Sequence, residues 1–133
     1  MEDGLTRQDM DFLKERAQSF YKSASGLIKD KEFPLAAFSV EQAIQLRLKH
    51  FLGVKTGDFP RTHSIKSLVQ ECSDLCPAVK EFQESDKKII NLLGDIESAY
   101  IMSRYYPANY TETEVRNMLT VYEDLARMLD SCL

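Results

Sequence analysis

Residues 111–129 read TETEVRNMLTVYEDLARML, and this segment decides the fold class of the chain. Its apolar residues recur every three or four positions, a spacing that collects them on one face of an α-helix. Thr111 and Glu114 stand three residues apart and predict a capping box, in which each side chain bonds the other residue's backbone N–H. We therefore predict a helix that begins at Thr111 and buries one apolar face. That face comprises Val115, Met118, Leu119, Tyr122, Leu125, Ala126 and Leu129.

The same spacing predicts three further long helices, over residues 6–31, 34–52 and 86–104. Pro34 separates the first two of these helices, because proline disfavours helical geometry in the residue before it and suits the first turn of a helix. Pro107 follows the third helix and is predicted to end it. Each of these boundaries therefore coincides with a residue that starts or stops helices.

The remaining segments are shorter. Gly53 is predicted to cap the second helix, and residues 54–60 are predicted to form a loop because glycine and proline interrupt them. A short helix is predicted over residues 64–75, and residues 78–84 are predicted to add one further turn. No segment alternates with a period of two over the length of a strand. The sequence thus predicts a single all-α domain over residues 1–133, an antiparallel up-and-down bundle of four long helices and one short helix.

Charge and hydropathy exclude several classes of partner. The chain has 17 Lys and Arg against 21 Asp and Glu, a net charge of −4, whereas proteins that neutralise the phosphates of duplex DNA usually carry a basic excess. No duplex DNA is therefore expected as a partner. Residues 1–4 are acidic rather than signal-like, and no apolar run approaches the roughly 20 residues that span a bilayer. We expect a cytoplasmic protein without a membrane partner.

The cysteines predict neither a disulfide framework nor a metal site. The odd number, Cys72, Cys76 and Cys132, suits free thiols in a reducing cytosol. Cys72 and Cys76 are one helical turn apart, but no second Cys/His pair completes a zinc site. Phosphate-binding glycine loops, nucleophile elbows and zinc-protease motifs are also missing from the sequence. We predict no metal and no cofactor.

A polar cluster interrupts the apolar pattern of the second predicted helix. Glu41 and Gln45 are one turn apart and share a helix face, beside Gln42. Glu41 could orient the guanidinium of Arg104 and leave it positioned for a phosphate. The alternative, which the residues by themselves favour, is a solvated helix face with ordinary weak ion pairs.

Two further clusters carry aromatic and basic residues. Arg104 is surrounded by tyrosines and Asn109, which together offer a phosphate-binding fork beside surfaces on which bases can stack. The alternative is that the tyrosines cover the end of the bundle and Arg104 caps carbonyl groups. Arg61 and His63 precede the short helix, where Thr62 or Ser64 can cap, and a lone histidine is more often structural than functional. The tyrosines are Tyr100, Tyr105, Tyr106 and Tyr110.

Taken in order, three segments of the chain resemble the HEPN family (higher eukaryotes and prokaryotes nucleotide-binding domain). They are AFSVEQAIQLRLK at residues 37–49, RTHSIKSL at 61–68 and AYIMSRYYP at 99–107. The resemblance covers roughly residues 9–129. It implies a helical bundle that commonly forms a homodimer. It also implies partnership with a separate minimal nucleotidyltransferase, often as a toxin–antitoxin pair.

Many members of this family are metal-independent ribonucleases, so the resemblance also implies RNA cleavage as a candidate activity. Those relatives use an arginine, a spacer of four to six residues and then a histidine. Arg104 matches the arginine, but positions 109 to 111 hold Asn109, Tyr110 and Thr111. Neither Asn nor an unperturbed Tyr exchanges a proton readily near neutral pH, so acid–base power is reduced. Tyr110 could still hydrogen-bond a phosphate, and His63 could substitute if the fold brings it near Arg104.

The sequence and the resemblance therefore leave three candidate functions. The favoured one is a nucleotide-binding HEPN module, weakly catalytic or non-catalytic, that partners a minimal nucleotidyltransferase. The first alternative is a metal-independent ribonuclease toxin that acts on RNA at a homodimer cleft, with Arg104 and Tyr110 as catalytic residues. The second is a structural helical adaptor. The predicted nucleotide-binding residues are Glu41, Gln42, His63, Arg104, Tyr105, Tyr106 and Tyr110.

Overall fold

A computed structural model describes residues 6–106 and 109–133 and shows six α-helices there. The described residues contain no strand, so the predicted all-α class is confirmed. Within them, no helix combines the length and the apolar character needed to cross a membrane. The expectations for residues 1–4 and for Pro107 lie outside the described residues. The helices are α1 (Arg7–Lys29), α2 (Phe33–Thr56), α3 (Ile65–Ser73), α4 (Pro77–Ser85), α5 (Lys87–Tyr105) and α6 (Glu112–Ser131).

Capping boxes start the first and the last helix. In α6 the hydroxyl of Thr111 accepts from the backbone N–H of Glu114 at 3.1 Å, and the Glu114 carboxylate accepts from the backbone N–H of Thr111 at 2.9 Å. Thr6 and Asp9 form the same pair of bonds at the start of α1. Each cap satisfies backbone donors that a helix end leaves without partners, which is worth about 1 kcal/mol. Both helix starts were predictable from the spacing of these residues.

The short helices differ from the prediction. Two of them are present, because residues 77–85 form the complete helix α4 rather than one added turn. Pro77 occupies the first turn of α4, where its missing N–H costs nothing. The described residues therefore form four long and two short helices.

The predicted cap of the second helix is wrong. Helix α2 continues through the buried Gly53 and ends at Thr56, and Gly57 is the residue with left-handed backbone, at a φ of 88°. The backbone N–H of Gly57 bonds the carbonyl of Gly53 at 2.9 Å. A glycine inside a helix costs only about 1 kcal/mol relative to alanine. Packing around Gly53 outweighs that cost, whereas a positive φ at position 57 requires a residue such as glycine.

Helix α2 is the centre of the bundle, since it packs against α1, α3, α5 and α6. Its connection to α1 is residues 30–32 only, which makes these two helices an antiparallel pair. Ile44, Leu48 and Phe51 are no more than 1% exposed, and each contributes about 1.5–3 kcal/mol through burial. Because neighbours surround α2, its polar side chains are buried as well. These are Ser39, Glu41, Gln45, Arg47, Lys49 and His50.

A disulfide joins the start of α4 to the end of α6, so the prediction of three free thiols is wrong. Cys76 precedes α4 and Cys132 follows α6, and their Cα atoms lie 5.7 Å apart at a sequence separation of 56. Only the packing of α4 on α6 brings the two residues together. Cys72 is free, and burial raises the pKa of its thiol to about 12.

Candidate functional site

A cleft of about 560 Å³ lies where the start of α3 meets the second half of α5. Its volume falls within the range of about 300–1,000 Å³ that is usual for small-molecule sites. His63 and Ser64 contribute polar groups, whereas α5 and the residue after it contribute polar and apolar ones, a mixture typical of ligand sites. The lining residues are His63, Ser64, Glu97, Ser98, Tyr100, Ile101, Met102 and Tyr106.

The ring of Tyr100 connects the histidine and the arginine of the predicted site. The His63 imidazole stacks on it, with ring centroids 5.5 Å apart and an interplanar angle of 14°. The guanidinium carbon of Arg104 lies 5.1 Å from the centroid of the same ring, because residues 100 and 104 are one turn apart on α5. Whether the fold brings His63 near Arg104 was not predictable from the sequence. Both side chains contact Tyr100.

The Arg104 guanidinium is held by aromatic rings rather than by a carboxylate. It lies 5.6 Å from the Phe38 ring centroid and 5.0 Å from that of Tyr105, and it donates a hydrogen bond of 3.0 Å to the Tyr105 hydroxyl. Among residues 6–106 and 109–133, no carboxylate pairs with Arg104, and no carbonyl accepts a hydrogen bond from it. The remaining N–H groups of this exposed side chain can therefore bind an anion.

Glu41 does not orient Arg104, and this predicted contact is wrong. The carboxylate is 0% exposed and accepts hydrogen bonds from Gln42 Nε2 at 2.7 Å and Gln45 Nε2 at 2.8 Å. The alternative of a solvated face is also wrong for Glu41 and for Gln45, which is 5% exposed. Burial raises the pKa of the Glu41 carboxyl from 4.5 to about 7, although the two amide bonds oppose that rise.

Glu41 reaches the cleft indirectly, through Gln45. The Oε1 atom of Gln45 lies 2.8 Å from Nδ1 of His63. A row of buried side chains thus leads from the centre of α2 to the imidazole in the cleft wall. The shared helix face of Glu41 and Gln45 was predictable from the sequence, whereas the contact of Gln45 with His63 was not predicted. The four-residue spacing was the available indication.

Glu97 ties the cleft wall of α5 to the start of α3. Its Oε1 accepts a hydrogen bond of 2.7 Å from the Ser64 hydroxyl and one of 3.2 Å from the backbone N–H of Lys66. Ser64 itself caps α3, as one of the two predicted candidates, by accepting from the backbone N–H of Ser67. A carboxylate is favourable at a helix N-terminus, where unpaired N–H groups point outwards. Glu97 was not predicted as a site residue, because its partners are distant in the sequence.

The remaining predicted residues divide into two groups. Tyr105 and Tyr106 are 66% and 58% exposed, so they do not cover the end of the bundle. Tyr106 lines the cleft. Tyr110 packs against the core instead, where burial and then the charges of Glu114 and Asp95 raise its pKa. Within the described residues it neither lines the cleft nor contacts Arg104, so only part of the predicted set is brought together.

A match to a family model shows which protein family the chain belongs to. The model of the HEPN domain matches residues 10–132, almost the whole sequence. The chain belongs to the HEPN domain family. The crystal structure of TT1696 from Thermus thermophilus has a similar fold, with a TM-score of 0.71 at 22% identity over 93% of this chain and 98% of that chain. At this identity the likeness concerns the fold alone. No curated protein matches the sequence.

This HEPN domain departs from the arrangement implied by the ribonucleases of the family. The positions that follow Arg104 at the expected spacing lack a histidine, and His63, which precedes α3, contacts the same Tyr100 ring as Arg104 instead. In the described part of the chain, no group of three or more His, Cys, Asp or Glu side chains is placed to hold a metal ion. The cleft itself offers an imidazole, hydroxyl groups, tyrosine rings and one carboxylate, and the guanidinium of Arg104 lies beside it against the Tyr100 ring.

Proposed function

We propose that this HEPN domain binds a nucleotide, free or at the end of a single-stranded RNA, in the cleft between α3 and α5. The arrangement of His63 and Arg104 around Tyr100 carries the proposal. It places a cation with available N–H groups next to aromatic rings. Nucleotides combine the two complementary features, a phosphate and a flat base.

The charged residues at the cleft indicate which end of the nucleotide faces which side of the site. Arg104, which lies against the Tyr100 ring beside the cleft, offers charge-assisted hydrogen bonds to a phosphate. Glu97, in the wall beside His63, repels a phosphate and favours hydrogen-bond donors. The base can stack on Tyr106, which is 58% exposed, and such contacts contribute about 1–3 kcal/mol for each base. We therefore place the phosphate towards Arg104 and the nucleoside towards His63 and Glu97.

The proposal is tested by calorimetry with AMP, GMP and a short single-stranded RNA. Arg104→Ala removes the phosphate contacts and is expected to weaken binding roughly ten- to hundredfold, equivalent to about 1.5–3 kcal/mol. Arg127→Ala is the matched control, since Arg127 is an exposed arginine on α6 that pairs only with Asp124 among the described residues. Equal losses for both variants, or no binding by the wild type, would reject the proposal.

A metal-independent ribonuclease is the second candidate, and one observation favours it. The exposed His63 and Arg104 both contact Tyr100. An imidazole can transfer protons near neutral pH, while a guanidinium stabilises the charge that develops on a phosphate. RNA cleavage in the presence of EDTA, abolished by His63→Ala and by Arg104→Ala but not by Arg127→Ala, would select this function. Binding without cleavage retains the non-catalytic module.

Protein partners belong to the same proposal. The exposed apolar side chains of α5, Ile90, Ile101 and Met102, support an interface with a second copy or with a minimal nucleotidyltransferase. Light scattering tests the homodimer, and titration with a purified minimal nucleotidyltransferase tests the toxin–antitoxin partnership. Partner binding without any nucleotide binding would select the structural adaptor.

A further inference from the structure

Three side chains form a hydrogen-bonded row from the bundle centre to the cleft. Glu41 is fully buried on α2, Gln45 lies one turn later on the same helix, and His63 precedes α3. The two hydrogen bonds between them measure 2.8 Å each. The row ends at the imidazole in the cleft wall.

The hydrogen-bonding capacities of these groups determine how the row is ordered. An ionised carboxylate only accepts hydrogen bonds, so Gln45 presents its NH₂ group to Glu41. The other end of that amide is a carbonyl oxygen, which also only accepts. His63 therefore donates from Nδ1, and in the neutral imidazole the unprotonated nitrogen is Nε2. Within the described residues no group bonds Nε2.

We propose that Gln45 is a positioning residue that holds His63 in the Nδ1–H tautomer, so that Nε2 accepts a hydrogen bond from the nucleoside part of the ligand. The inference rests on the proposed nucleotide site and names the ligand group that faces His63. That group is a ribose hydroxyl or a base N–H, and a phosphate oxygen is excluded because it also only accepts. An unconstrained histidine side chain prefers the opposite tautomer, with its proton on Nε2.

Neighbouring charged residues favour this arrangement of hydrogen-bond donors and acceptors. Glu97 lines the same cleft from α5, and its carboxylate likewise attracts a hydrogen-bond donor. Burial raises the pKa of the Glu41 carboxyl to about 7 and the positive charge of the buried Lys49, one turn beyond Gln45 on α2, opposes that rise, so Glu41 is ionised at pH 8.5. Reversal of the Gln45 amide would place its oxygen against the Glu41 carboxylate and its NH₂ against the Nδ1 proton. Both contacts would be repulsive, so the row has one favourable arrangement while Glu41 is ionised.

Nitrogen-15 NMR of the imidazoles at pH 8.5 tests the proposal on the free protein. The chain has only two histidines, so the spectrum is simple, and the buried His50 serves as an internal reference. In the wild type we expect a protonated Nδ1 and a pyridine-like Nε2 for His63. Gln45→Met keeps the length of the side chain and removes both hydrogen bonds, and we expect it to move the proton to Nε2. The His50 resonances should stay in place, which shows that the variant is folded.

Gln42→Met is the matched control, because Gln42 bonds the same carboxylate without contact to His63. It should leave the tautomer unchanged. A wild type that carries its proton on Nε2, or a Gln45→Met variant with an unaltered tautomer, would overturn the role of Gln45. This result does not depend on nucleotide binding.

Addition of AMP tests separately whether a hydrogen-bond donor of the ligand faces Nε2 of His63. Acceptance of a hydrogen bond moves the Nε2 resonance upfield, and we expect this shift in the wild type and in Gln42→Met but not in Gln45→Met. AMP that binds by calorimetry without a shift of Nε2 would overturn the assignment of a donor opposite His63. Failure of AMP and RNA to bind at all would reject the proposed function, while the tautomer result would still decide the role of Gln45.

Discussion

Replacement of Glu41 by glutamine should change how the stability of the bundle depends on pH. Glu41 is 0% exposed and is hydrogen-bonded by two neutral amides rather than paired with a cation. Burial raises the pKa of its carboxyl from 4.5 to about 7. The native state therefore binds this proton more tightly than the unfolded state does. Between pH 4.5 and about 7 the native state carries more protons than the unfolded state.

The sign and the size of the effect follow from that difference. Where the native state binds more protons, the free energy of unfolding falls as pH rises. The contribution of neutral Glu41 is complete below pH 4.5 and is lost as pH rises through about 7. At about 1.36 kcal/mol per pH unit, the loss amounts to about 3 kcal/mol. Glu41→Gln cannot ionise and should lack this part of the pH dependence.

Urea unfolding followed by circular dichroism, at pH values from about 4.5 to 8, provides the measurement. The variant also replaces one acceptor oxygen by an NH₂ group next to the amides of Gln42 and Gln45, which costs stability equally at every pH. The informative quantity is therefore the difference in the free energy of unfolding between variant and wild type. From about pH 4.5 to 8 this difference should shift by about 3 kcal/mol in favour of the variant. Glu81→Gln, on the exposed face of α4, controls for the loss of one charge. A difference that is constant with pH would refute the argument.

Four smaller predictions concern other parts of the molecule. Cys132→Ser opens a covalent loop with a sequence separation of 56 and should lower stability by up to about 4 kcal/mol, visible as a lower Tm only in the absence of a reducing agent. Thr111→Ala removes the cap of α6 and should cost about 1 kcal/mol in urea unfolding, whereas Thr113→Ala at an exposed position should cost less. The Tyr21 hydroxyl donates a hydrogen bond to Glu123, which raises the pKa of Tyr21 to about 12, so absorbance titration of Tyr21→Phe should lose one of the tyrosines that titrate late in the wild type. Ile101→Lys places a charge among the exposed apolar side chains of α5 and should dissociate the proposed homodimer in light scattering without loss of helicity.

Local features explain why much of the helix pattern was predictable. The starts of α1 and α6 depend on capping side chains three residues apart, and such pairs are visible in the sequence. The end of α2 was not predictable in this way. Gly53 and Gly57 are both plausible caps, and only the packing of neighbouring helices decides that the chain turns at the second.

The central position of α2 explains most of the errors at the site. A row of polar residues four positions apart normally lies in solvent, and nothing in the segment itself indicates that four helices surround it. The burial of Glu41 and Gln45 and the missing bond between Glu41 and Arg104 follow from that packing. The pairing of Cys76 with Cys132 likewise depends on contacts between distant segments. By contrast, Arg104 and the tyrosines beside it were predictable as candidates because they are neighbours in sequence.

The disulfide gives the chain the covalent topology of a closed ring with a tail. Residues 76–132 form the ring, which includes α4, α5 and α6, while His63 and Glu41 belong to the tail. A protease that cuts once inside the ring therefore releases no fragment. Such a nicked molecule would migrate as one species on a denaturing gel without reductant and as two after reduction. The α5 wall of the cleft would stay attached to the bundle after a cut between α5 and α6.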